Sequence, residues 1–187
     1  MSDNLRTYTK AVYGFDHVVR LVPDDAWDDA SPCEGWTARD VLGHVVAVQR
    51  YLLSLVEGTA PTMDPFTDPG QHAGDDPAAT WAETRDALLE ALDQAGVLQR
   101  VVQSFWGEMP IDSTLSNNLA DTTVHSWDLA RATGVDERLD QGVAERALAQ
   151  ITPAVEHMRA GGMLGPAADA VDDSASARLL ALSGREV

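Results

Sequence analysis

Asp121 and His125 lie four residues apart in LADTTVHSWDLARATG, a stretch that reads as helix. That spacing sets both side chains on one face, one turn apart. A second histidine, His44, sits midway along TARDVLGHVVAVQRYLLSLVEG, another helical segment. Two imidazoles and a carboxylate from two facing helices can hold a divalent metal and leave a position open. Three N/O ligands with an open position is the usual build of catalytic zinc, whereas structural zinc is closed by four protein ligands. Zn²⁺ leads the expected ions, and Ni²⁺, Fe²⁺ and Mn²⁺ accept the same donors. Aspartate is a poor interior helix former, and Asn117 and Asn118 precede Asp121, so a helix centre this polar is expected to face a cavity or a site. Two blander arrangements use the same residues: a metal-free hydrogen-bonded network, or a carboxylate–histidine pair that only supports its helix.

The remaining chemically able residues rank lower. Asp128 is two turns after Asp121 and shares its face approximately; it is expected either to orient His125 or to be a structural or surface acid. His17 and His157 lie on helical segments without a ligand-type partner one turn away, and His72 lies in a loop. Cys33, in SPCEGWTARD, precedes a helix N-terminus, where the dipole favours a thiolate. No histidine base is local to it, so burial of a small soft side chain is the expected role.

The elements that position these residues read as five helices and no convincing strand. The first spans about 4–21, with Leu5, Val12, Phe15, Val19 and Val22 near helical spacing, and Pro23 ends it. Thr37 reads as an N-cap with Asp40 completing a capping-box-like pair, opening a helix from 38 to about 57 that stops at Gly58. Residues 58–76 read as a long irregular loop. Pro77 opens a third helix to about 95, closed by Gly96, and 97–110 is ambiguous between extended chain and a bent helical turn. A fourth helix is expected over 111–132 with Gly134 as its stop, and a fifth over 140–159, kinked at Pro153. The apolar tail ARLLALSG is expected to dock on the body. Neither a repeat nor a domain boundary is visible, so residues 1–187 are expected to form one helical metal-binding domain.

Charge and composition limit the function. The 187 residues carry a formal net charge of −17, a field that repels phosphate backbones and anionic membrane surfaces. No apolar run reaches transmembrane length, and MSDNLRTYTK lacks the apolar core of a signal peptide. The single cysteine allows no intrachain disulfide, and a cytoplasmic location is the simplest expectation.

PCEGWTARDVLGHVV and DTTVHSWDLARATG together, with the closing R-L-L-A-L-x-G-R from Arg178 to Arg185, resemble the DinB/YfiT-like metalloenzyme superfamily. Within it, the chain is similar to the mycothiol-dependent maleylpyruvate isomerase N-terminal domain family. The resemblance implies an all-α fold: an up-down-down-up four-helix bundle, here with an additional C-terminal helix, and a divalent metal between the helices. Carried over by motif, the metal ligands fall on His44, Asp121 and His125. The isomerase has glutamate where this chain has Asp121, a difference of one methylene in the cavity. It also carries a C-terminal domain that contributes to its active site; with the sequence ending at Val187, that domain is expected to be missing and the reaction to differ from maleylpyruvate isomerisation. The expectation is a metal-dependent transferase or isomerase-like enzyme that uses a low-molecular-weight thiol such as mycothiol. A hydrolase using metal-bound water and a non-catalytic metal-binding or ligand-sensing bundle are the alternatives. The implied partners are a small-molecule substrate or thiol, with no nucleic acid and no membrane; a homodimer is allowed.

Overall fold

A computed structural model describes residues 1–60 and 64–187. Among them the chain forms helices α1 (Asp3–Val19), α2 (Ala38–Glu57), α3 (Pro77–Leu92), α4 (Ile111–Asn117), α5 (Leu119–Thr133), α6 (Gln141–Ile151), α7 (Val155–Ala160) and α8 (Ala175–Leu182). The expected all-α bundle is present: α2 packs on α3 and α5, and α1 packs on α5 and α3, while α8 docks on α6 as the additional C-terminal helix. The apolar stripes meet in the middle. Val41, Val45 and Leu52 of α2, Phe15 of α1, Trp81 and Leu88 of α3, and Leu129 of α5 are all buried in one core. No helix among the described residues is long and apolar enough to cross a membrane.

Local chemistry sets the ends that matter for the site. The Thr37 hydroxyl accepts from the Asp40 amide at 3.3 Å and the Asp40 carboxylate accepts from the Thr37 amide at 2.8 Å, so the expected capping box is formed. The other Asp40 oxygen accepts from the Gly70 amide at 3.0 Å. That bond anchors a short 3₁₀ turn, Pro69–Ala73, inside the stretch expected to be irregular; residues 61–63 of that stretch lie outside the described residues. The turn lies directly on α2 at Gly43, where a Cβ would sit 2.0 Å from the Pro69 carbonyl oxygen. Gly43 thus brings the loop against the residue next to it, His44.

Several expectations are corrected. The first helix ends at Val19, short of 21, and the third at Leu92 with Asp93 as its cap, short of Gly96; Gly96 instead precedes a 3₁₀ turn, Val97–Gln99. The ambiguous segment contains an antiparallel hairpin, β1 (Val101–Ser104) with β2 (Gly107–Pro110), in register Val101↔Pro110. The chain was expected to show no strand. This hairpin is too short to display an alternating pattern. The expected helix over 111–132 breaks at Asn118, whose side-chain amide donates to the Thr114 carbonyl at 2.8 Å in competition with the helical ladder. Asp121 therefore stands in the first turn of α5, where a carboxylate suits the helix dipole, and not deep in a helix. Pro153 divides the expected fifth helix into α6 and α7 through a 3₁₀ turn, as its missing N–H requires.

Candidate metal centre

His44 and His125 meet edge to face, ring centroids 4.8 Å apart, where α2 crosses α5. His44 is 2% exposed, and its Nδ1–H has one acceptor, the Pro65 carbonyl at 2.9 Å. His125 directs Nδ1 to Asp128 Oδ2 at 2.8 Å. With both Nδ1 atoms committed as donors, each ring presents Nε2 to the same carboxylate. Asp121 Oδ1 lies 3.0 Å from Nε2 of His44 and 3.6 Å from Nε2 of His125. Tetrahedral ions with bonds near 2.0–2.1 Å hold their ligands roughly 3.3 Å apart. The two observed separations bracket that distance, and all three ligand atoms lie within 4.8 Å of one another.

The donor set carries a second signature. Asp121 Oδ2 is buried and has no hydrogen-bond partner among the described residues. A buried carboxylate oxygen without a partner costs on the order of 1–3 kcal/mol or more, and a cation beside it would remove that cost. The residues present therefore fit a divalent ion on three grounds: the donor types, the spacing and the unpartnered oxygen. Asp128 and the Pro65 carbonyl stand behind the two rings, the arrangement in which a metal-binding histidine is held by a carboxylate or carbonyl on its other nitrogen.

Electrostatics follow from the same contacts. Burial works against charge on His44, but the Asp121 carboxylate and its hydrogen bond outweigh it, so the pKa of His44 is raised above the ordinary histidine value. Burial likewise opposes ionisation of Asp121, and His44 and His125 overcome it, lowering its pKa. Asp128 is fully buried, yet bonds from His125 and Arg185 bring its carboxyl down to about 2. The site faces an aromatic wall: the Trp36 ring lies 5.2 Å from His44 and 6.1 Å from His125, and Phe66 lies 5.5 Å from His44.

Cys33 is partly buried, in line with the expected packing role, but it has neighbours that the sequence did not show. Its Sγ lies 3.3 Å from Asp128 Oδ2 and 4.0 Å from His125 Nδ1, so a histidine absent from its sequence neighbourhood is supplied by α5. The thiol is not activated, however. Burial and the neighbouring Asp128 carboxylate push it up to about 12, which outweighs any pull of the helix dipole toward a thiolate. Cys33, His125 and Asp128 make a second group of metal-type donors, but Arg185 bonds both Asp128 oxygens, at 3.0 and 2.7 Å, and its charge opposes a cation there. His17 and His157 belong to neither group. His72 lies in the 69–73 turn, facing the Asp64 carbonyl at 3.1 Å. Sequence reasoning missed the role of Arg185 and the Pro65 carbonyl. The first sits in the closing motif without any spacing to mark it; the second is backbone and leaves no sequence signal.

Residues 9–130 match the family described as mycothiol maleylpyruvate isomerase N-terminal domain. The uncharacterized protein Rv0738 of Mycobacterium tuberculosis is 28% identical over 151 residues, covering 79% of this chain and 76% of that protein. The uncharacterized protein Rv0036c of the same organism is 30% identical over 135 residues, covering 64% of this chain but only 52% of that protein. No solved structure matches. The matched span takes in α2 and most of α5, with His44, Asp121, His125 and Asp128 inside it and Arg185 beyond it. A match over more than half of the sequence decides the assignment: the chain belongs to the mycothiol maleylpyruvate isomerase N-terminal domain family.

Proposed function

We propose that residues 1–187 act as one metal-binding unit in which His44, Asp121 and His125 hold a divalent ion, Zn²⁺ foremost, and that the centre serves a transferase or isomerase-like reaction using a low-molecular-weight thiol of the mycothiol type. The observation that carries the metal assignment is the convergence of two Nε2 atoms on one carboxylate whose other oxygen is buried and unpartnered. The family name supports the thiol. Bound there, an ion of this class supplies Lewis acidity, lowering the pKa of a coordinated thiol or water toward neutrality.

The residues of the chain divide the work. The Pro65 carbonyl and Asp128 accept from Nδ1 of His44 and His125, which leaves Nε2 of each ring as the atom that would bind an ion; on His44 the ion would displace the proton shared with Asp121. Asp121 supplies the single negative charge, which leaves a divalent centre net positive and able to attract an anionic sulfur. Trp36 and Phe66 lie against the histidines, and their apolar surface suits an organic substrate. Cys33 stays protonated and donates to Asp128, so it does not compete as nucleophile.

Cobalt substitution tests this reading. In a Cys33→Ser background, which removes the protein's own thiol, an added small thiol is expected to produce an intense near-ultraviolet charge-transfer band with release of a proton. Absence of that band with every thiol tried at millimolar concentration would eliminate the thiol reaction.

A further inference from the structure

Arg185 follows α8 and lies outside the bundle elements that carry the three proposed ligands. Gly184, with φ of +81°, turns the chain; a Cβ there would meet the Pro166 carbonyl oxygen at 2.8 Å. The turn returns the Arg185 side chain to α5. Its Nε donates to Asp128 Oδ1 at 3.0 Å and its Nη2 to Oδ2 at 2.7 Å, a two-pronged grip on a fully buried carboxylate. Nη1 is held in turn by the Ser183 carbonyl at 2.7 Å, and the Arg185 amide by the Leu180 carbonyl at 2.9 Å. Asp128 Oδ2 is the same atom that accepts from His125 Nδ1.

We propose that Arg185 is a positioning residue for the metal centre: by fixing Asp128 it fixes the ring plane and tautomer of His125, so docking of the C-terminal helix sets the affinity of the site. This inference rests on the metal reading above. The physical chain is short. An aspartate has two side-chain torsions, and the bonds from His125 and the Cys33 thiol both fall on Oδ2 and leave Oδ1 free. The guanidinium fork, planar and always charged, fixes both oxygens at once. With Oδ2 held, His125 keeps its proton on Nδ1 and its lone pair on Nε2, facing Asp121. Without the fork, Oδ1 has no partner and the carboxylate is free to rotate, so His125 loses a fixed orienting acceptor. The link also joins the chain terminus to a site built on α2 and α5. A centre assembled this way binds metal tightly only after α8 has seated.

Arg185→Lys keeps the charge and removes the fork; Arg185→Met removes both. Metal affinity by chelator competition is measured for wild type, both variants, Asp128→Asn, and Asp128→Asn with Arg185→Lys, at a temperature where circular dichroism shows each is folded. Arg185→Lys is expected to weaken affinity about tenfold, within the roughly 10–100-fold range for partners of metal ligands, and Arg185→Met more. In the Asp128→Asn background, Arg185→Lys is expected to cost no further affinity, because the two-oxygen carboxylate that the fork grips is gone. In the metal-free protein, ¹⁵N spectra of His125 should show the Nδ1–H form in wild type and a mixture in Arg185→Lys. If Arg185→Met fails to fold, Arg185→Lys carries the test. Unchanged affinity and tautomer in Arg185→Lys, or a loss that adds fully to that of Asp128→Asn, overturns the inference while leaving the metal reading standing. A wild type that binds no divalent ion overturns both.

Discussion

Replacing Asp128 with asparagine changes one oxygen to an amide nitrogen and nothing in size, yet it should affect both stability and metal binding. The carboxylate is fully buried and accepts N–H donors from His125 and twice from Arg185. An asparagine can satisfy one of its donors with Oδ1 and must turn an NH₂ toward another. Removing one partner of a buried ion pair costs about 3–5 kcal/mol. Arg185 keeps 15% of its side-chain surface exposed, so water softens that figure. A separate route gives a similar scale. The carboxyl sits at about 2 against an ordinary 3.8, and at about 1.4 kcal/mol per pKa unit that difference is worth about 2 kcal/mol. The metal-free Asp128→Asn protein is therefore expected to lose about 2–4 kcal/mol in urea unfolding, with Tm falling by about 2–4 °C for each kcal/mol. Metal affinity should fall about 10–100-fold, because His125 loses its proton acceptor. A variant whose unfolding free energy stays within about 0.5 kcal/mol of wild type, with affinity unchanged, would refute the reasoning that this buried carboxylate holds both Arg185 and His125.

Asp121→Asn is expected to weaken metal binding more than Asp128→Asn does, since it removes an anionic ligand and not a supporting partner; isothermal titration of both variants decides the order. Gly43→Ala must displace the 69–73 turn, because its Cβ would meet the Pro69 carbonyl oxygen at 2.0 Å; Tm and metal affinity should both fall, whereas an unchanged Tm would mean the turn does not seat on α2. Acid should act through Asp128: a carboxyl depressed to about 2 contributes stability that is complete above the ordinary carboxylate range and lost as pH falls toward 2, so this part of the acid-induced decline should vanish in Asp128→Asn. His44 is shifted upward, so metal must displace protons from it; calorimetry in buffers of different ionisation enthalpy should show proton release on metal binding that diminishes as pH rises, and its absence near neutral pH would contradict the His44–Asp121 pair.

The helices and two of their stops were legible because their signals are local. Thr37 with Asp40, Gly58 and Gly134 act within one turn of chain, and each stands where the pattern put it. The hairpin was not legible, since four-residue strands with half-exposed residues have no periodicity to detect. The break at Asn118 was hidden for a different reason: apolar spacing continues through it, and only the side-chain bond to Thr114 shows the interruption. That break reverses one inference about Asp121 while keeping another. Its polarity suits a helix start, and its unpartnered oxygen still points to a ligand. The pairing of Asp121 with His125 followed from spacing on one helix, whereas placing His44 beside them rested on the family resemblance. The Arg185–Asp128–Cys33 contacts join positions 152 residues apart at the extreme, which no sequence period connects.

Metal equivalents per chain, measured by elemental analysis after gel filtration, test the three-ligand centre most directly. Wild type should carry one tightly bound divalent ion after reconstitution, while His44→Ala and His125→Ala should each lose it and keep the helical circular dichroism of the bundle, whose apolar faces bury one another without metal. A wild type that binds no ion, or either alanine variant retaining a full equivalent, would contradict the assignment.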